Sequence, residues 1–156
     1  MASPGEGLVI DKDIPPFEGE PDVVLDEEGM VRKFGLEPQR RKADKAGHYP
    51  TCRWVLVERK AKKIRDAVEQ LRVTFEQVDR KAFPIIRLVI VYDRIGEARL
   101  FHVRRLERPS RRALFHRGRK GGPVTVGDIG IEAYTPEEVG KMYKQSHLNT
   151  GGSGSR

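Results

Sequence analysis

The chain has 156 residues, 37% hydrophobic and 34% charged, which suits one globular domain with a buried core and a polar surface. Thirty Lys and Arg against 23 Asp and Glu leave a formal charge of +7, which favours a polyanionic partner such as nucleic acid. The lone Cys52 excludes an internal disulfide and a finger-type zinc site and fits a reducing intracellular compartment; no apolar run reaches the ~18 residues of a membrane span, and the start "MASPGEGLVIDKDIPP" lacks the pattern of a secretory signal.

Residues 1–20, rich in Pro, Gly and acid, read as irregular with a short strand at "GLVI". "PDVVLDEEGMVRKF" reads as a β-hairpin, two β-rich runs about "DEEG", whose Gly29 permits the positive φ of a tight turn. In its first strand Asp22, Val24 and Asp26 share one face. A basic insertion, "GLEPQRRKADKAGHYPTC", precedes "RWVLVERK". Period-2 alternation there puts Trp54, Leu56, Glu58 and Lys60 on one face and Arg53, Val55 and Val57 on the other.

Helical spacing follows at once. Ile64, Ala67, Val68, Leu71, Phe75 and Val78 form one apolar stripe, with Lys62, Lys63, Arg65, Glu69 and Arg72 opposite. Beyond Pro84, "IIRLVIVYD" has the unbroken apolar character of a strand buried on both faces. Strand, helix and strand make a βαβ unit with parallel strands. "DRIGEARLFHVRR" predicts a turn and a strand, after which residues 104–145 read as an arginine-rich loop, a short strand and a helix. That helix opens at "TPEE", where Thr135 and Glu138 form a capping box and Pro136 takes the first helical position. The fold class is α/β, a mixed central sheet with flanking helices. A single domain spans 21–148, and "NTGGSGSR" at 149–156 reads as a flexible tail.

An isolated Glu-x-Lys at a strand end is usually a surface ion pair worth about 0–1 kcal/mol. Its setting argues for more. If the strand of Asp22 pairs antiparallel with that of Glu58, the start of one lies beside the end of the other, and Asp22, Glu58 and Lys60 converge at one sheet edge. The insertion from Gly35 to Thr51 decides whether those strands are neighbours. Two carboxylates supply hard oxygen ligands for Mg²⁺ or Mn²⁺, and Lys60 would orient an attacking water and offset charge in phosphodiester hydrolysis. Asp26, on the face of Asp22, is an alternative ligand.

"PD" at 21–22, "ExK" at 58–60 on an apolar strand, and a helix bearing "AVEQL" resemble the PD-(D/E)xK nuclease superfamily, which includes restriction endonucleases and Holliday junction resolvases. The resemblance covers roughly residues 20 to 93. It implies a restriction-endonuclease-like core, Asp22 and Glu58 as metal ligands, Lys60 as the catalytic lysine, and Gln70 as a helper facing the site. Many members also carry an acid on a helix before the PD strand, which this chain lacks ahead of Asp22.

Cationic residues concentrate in "RRLERPSRRALFHRGRK": Arg104, Arg105, Arg108, Arg111, Arg112, Arg117, Arg119 and Lys120, against Glu107 alone. Arginine forks match phosphate oxygens. Arg40, Arg41 and Lys42 form a second basic group that would flank the same groove. The leading expectation is a Mg²⁺-dependent endonuclease acting on DNA as a homodimer or with partner subunits. The alternative is a non-catalytic nucleic-acid-binding subunit of a larger nucleoprotein complex.

Overall fold

The computed structural model describes residues 6–7, 13–59, 63–106, 111–118 and 121–154. Two-residue β1 (Glu6–Gly7) pairs antiparallel with β2 (Val23–Leu25). The chain then turns helical rather than folding back. "DEEGMVRKF" is not half of a hairpin but the start of α1 (Glu27–Phe34). Asp26 is its N-cap, accepting from Gly29 N at 2.8 Å, and Glu27 and Glu28 favour the positive end of the helix dipole. Gly35 ends the helix in the left-handed region, φ 70°, its N–H donating to Val31 O. Met30 and Phe34, four residues apart, are buried on one side. The glycine that allows a turn therefore sits inside the helix, and the one that makes the turn is Gly35.

After α1 come β3 (Lys45–His48), β4 (Trp54–Arg59), α2 (Ile64–Gln77) and β5 (Ile85–Val91). β3 pairs antiparallel with both β2 and β4, and β4 pairs parallel with β5 through the α2 crossover. The arginine-rich segment expected as a loop is largely a hairpin of β6 (Phe101–Arg105) and β7 (Arg112–His116). Short β8 (Thr125–Val126) and β9 (Ile129–Tyr134) follow. β9 enters parallel to β5 and carries β7 on its other side. The result is an α/β fold whose mixed sheet runs β1-β2-β3-β4-β5-β9-β7-β6, with β8 pairing β9 off this path. Helix α3 (Pro136–Gly154) opens on the expected capping box: Thr135 N donates to Glu138 Oε1 at 2.8 Å and Glu138 N to Thr135 Oγ1 at 3.2 Å.

Strand alternation divides the interior into two cores. Trp54, Leu56, Leu88, Ile90, Ile131 and Ala133 face α1 and α2, meeting Phe34, Ile64, Ala67, Leu71 and Phe75. Val55, Val57, Val89, Val91 and Tyr134 face the other way, toward Val139 and Tyr143 of α3 and the segment at Ile14 and Phe17. Tyr49 and Tyr143 fasten that segment by donating to the Pro15 and Ile14 carbonyls at 2.6 and 2.5 Å. Among the described residues, no helix is long and apolar enough to cross a membrane.

Candidate active site

Glu58 ends the apolar run of β4 on its α2 side, and it is buried to 1% exposure. A carboxylate cannot stay there without hydrogen-bond donors, and two elements supply them. Register pairs Lys45 of β3 with Val57 of β4, which sets Asp44 level with Glu58. Asp44 N donates to Glu58 Oε1 at 3.0 Å as well as to the Val57 carbonyl at 3.1 Å. In return Arg59 N donates to Asp44 Oδ2 at 2.8 Å. From α2, Gln70 completes the set. Turned with its nitrogen toward the carboxylate, its amide donates to Glu58 Oε2 at 2.7 Å and to the Asp66 carbonyl at 3.3 Å. The opposite orientation would set the amide oxygen against Glu58 Oε2 and the Asp66 carbonyl and keep only a 3.4 Å donation to the Lys42 carbonyl.

The loop that presents Asp44 is itself anchored. Thr74, fully buried on α2, accepts from Ala43 N at 2.7 Å and donates to Gln70 O at 2.8 Å. Lys42, 4% exposed, points inward and donates to the Pro38 and Arg40 carbonyls at 3.0 and 2.6 Å. On the opposite face of the same edge, Arg59 bridges Asp13 at 3.1 Å and Asp93 at 2.9 Å, and Lys45 reaches Asp13 at 3.0 Å.

Asp22 does not join this site. Because β3 lies between β2 and β4 and is antiparallel to both, β2 runs parallel to β4, and Val23 aligns through His48 with Trp54. Asp22 therefore stands at the opposite end of the strands, about 16 Å from Glu58 along their direction at ~3.3 Å per residue. There its carboxylate meets His48 Nδ1 at 2.6 Å, and its N–H donates to His48 O at 2.8 Å. Asp26 is committed to capping α1. The aspartate that lies beside Glu58 is instead Asp44, which follows Ala43 and has no proline before it. Asp44 stands 14 residues before Glu58, immediately ahead of the short strand β3.

Lys60 lies outside the described residues, as do Arg108, Arg119 and Lys120. Arg104 and Arg105 stand on β6 and are exposed, Arg112 opens β7, Arg111 precedes it and Arg117 follows it. Arg112 Nε lies 2.9 Å from Glu138 Oε2 of α3. Arg40 and Arg41 are exposed, whereas buried Lys42 is a strut of the Asp44 loop and not a surface contact.

Among the described residues, no three His, Cys, Asp or Glu side chains gather as a metal cluster. The Asp44–Glu58 pair offers two carboxylates, the number with which Mg²⁺ is commonly held when water and substrate phosphate fill its other positions. Comparison with protein-family models, with curated proteins and with solved structures returns no match.

Proposed function

We propose that the chain is a divalent-metal-dependent nuclease acting on DNA, with Asp44 and Glu58 as its working carboxylates. The observation that carries this reading is the reciprocal pairing of Asp44, just before β3, with the end of β4: Asp44 N donates to Glu58 Oε1 and Arg59 N to Asp44 Oδ2, with Gln70 of α2 donating to the buried Glu58. The donor set fits Mg²⁺ or Mn²⁺, both of which prefer carboxylate oxygen. When bound, such an ion polarises the phosphoryl oxygen and acidifies a water.

The chain's own groups do the rest. The Arg59 N–H and the Gln70 amide fix the carboxylates, so that little reorganisation is required on binding. Lys60, two residues after Glu58 in the sequence, is the cation proposed to orient the water and offset charge that develops on the phosphate. Exposed arginines of the β6–β7 hairpin hold the sugar-phosphate backbone. Asp44 takes the part first given to Asp22; the order of Glu-x-Lys strand, helix and buried strand remains that of the PD-(D/E)xK resemblance, while its "PD" at 21–22 stands apart from Glu58. Exposed, unpaired Cys52 suits a reducing intracellular compartment.

The test is cleavage of single-stranded, duplex and branched DNA with Mg²⁺ or Mn²⁺. Asp44→Asn, Glu58→Gln and Lys60→Ala should each lose about a hundredfold or more in rate, while Asp22→Asn cleaves as wild type. Full activity in Asp44→Asn overturns the assignment. A wild type inert on every substrate moves the chain to the non-catalytic binding class.

A further inference from the structure

The outer face of the β6–β7 hairpin has a chemistry that phosphate contact alone does not use. Register pairs His102 with Phe115, and a bridge continues from Phe115 to Pro123, so three rings form one row across the strands. The His102 and Phe115 rings stack at 5.8 Å with 24° between their planes. The Arg104 guanidinium lies over the Phe115 ring at 4.7 Å, and its Nε donates to His102 Nε2 at 2.9 Å. An imidazole that accepts at Nε2 is neutral and carries its proton on Nδ1. Loss of solvation, then the charges of Arg104 and Arg117, hold His102 below its usual pKa.

Among the described residues this face is only partly covered: Arg104 is exposed and His102 and Phe115 are half-buried, while Ala113 between them and β9 is buried. The core on the α3 side is built from β4, β5 and β9, together with the tyrosines and the N-terminal segment, and includes no residue of β6 or β7. The reverse face is rigid, since Phe101 and Leu114 are buried in the α2-side core with Val103 against them. β6 is also the outermost strand of the sheet. Among the described residues of 98–118 there is no acid, while Arg99, Arg104, Arg105, Arg111, Arg112 and Arg117 all lie there.

We infer that this face is a docking platform for single-stranded nucleic acid, with bases stacking on the His102–Phe115 row and arginines taking the phosphates. A base can lie on an aromatic ring only when its own face is free, which a duplex denies it. Stacking of this kind tolerates any sequence. Charge complementarity excludes a cationic or neutral partner, and the flat ring row favours bases over an acidic peptide. Arg105 pairs with Arg112, which stands level with Ala133, and Ala133 aligns through Ile90 with Glu58. Arg105 thus stands about 19 Å from Glu58, four strand spacings away, with the platform on the opposite face of the sheet from Glu58. The inference rests on the nuclease reading for the fate of the bound strand, not for its binding.

Binding is measured by fluorescence anisotropy of the full chain in EDTA, where no cleavage occurs. The probes are labelled oligothymidylate, an abasic strand of equal length, a duplex and polyglutamate. Wild type should bind oligothymidylate about tenfold more tightly than the abasic strand, and Phe115→Ala should remove most of that difference with the salt slope unchanged. Phe115→Trp should bind as wild type, with emission quenched by oligothymidylate and not by the abasic strand; Trp54, 4% exposed, adds a constant background. Equal affinity for the abasic strand, unquenched emission in Phe115→Trp, or preference for the duplex or polyglutamate overturns the platform. Phe115→Trp also keeps the test decisive if Phe115→Ala does not fold. Because binding is read in EDTA and cleavage only with metal present, failure of the nuclease reading and failure of the platform register in separate experiments.

Discussion

A single hydroxyl shows how much of the site depends on residues that touch no substrate. Thr74 Oγ1 accepts from Ala43 N and donates one turn back to Gln70 O, joining the Asp44 loop to the helix that steadies Glu58. Replacing Thr74 by Val keeps its shape and orphans a buried N–H. The expected loss is about 1–3 kcal/mol of stability, read by urea denaturation, with weaker Mn²⁺ binding in the same protein. At this scale the sequence was half legible. Glu58 stood out because a charge ends a strand of Trp, Val and Leu, and the resemblance marked Gln70. Asp44 was hidden, because the strand it precedes, "KAGH", contains a glycine and a histidine where β-formers would have advertised it. Asp22 was conspicuous for its neighbour Pro21, yet its partner is His48.

Elements with one strong periodicity were readable, and those with competing signals were not. The β4–α2–β5 unit carries a period of two, then a 3.6-residue stripe, then an unbroken apolar run, and all three appear as expected. α1 failed because its eight residues are short and its valine and glycine suggest strand and turn, while capping and the Met30–Phe34 spacing decide for helix. β7 was obscured because arginines on a strand look like a loop, whereas one short strand was expected where β8 and β9 both form, with Gly130 interrupting "IGIEAY". The correction at α1 had consequences, since a helix there brings β3 rather than the second half of a hairpin beside β4. Asp26→Ala should cost about 1 kcal/mol through the lost cap, measured by thermal or urea unfolding. Metal-dependent cleavage should be unchanged, which separates the cap from a metal ligand.

Across the whole molecule, one sheet keeps two cores apart, and the cluster that fastens its α3 side is polar. Arg87 Nη1 meets Glu132 at 2.9 and 3.1 Å, Tyr134 OH donates to Glu132 Oε1 at 2.6 Å, and the Phe17 ring lies 3.8 Å from the Arg87 guanidinium. Burial and the adjacent Glu132 charge push the Tyr134 phenol well above its usual pKa, so it remains a donor. Side-chain exposures of 13% for Arg87 and 9% for Glu132 put this pair where removal of one charge strands the other. Glu132→Gln should therefore destabilise by about 3–5 kcal/mol in urea unfolding, whereas Arg87→Met with Glu132→Leu recovers most of the loss. The other end of the sheet carries the functional claim, where Asp44, just before β3, donates its N–H to Glu58 of β4 beside α2. Its most direct test is Mn²⁺ titration followed by electron paramagnetic resonance, because it reads the carboxylate pair without requiring the correct substrate. The account predicts a bound ion in wild type and in Asp22→Asn, lost in Asp44→Asn and in Glu58→Gln. Retention in Asp44→Asn, or loss in Asp22→Asn, would contradict it.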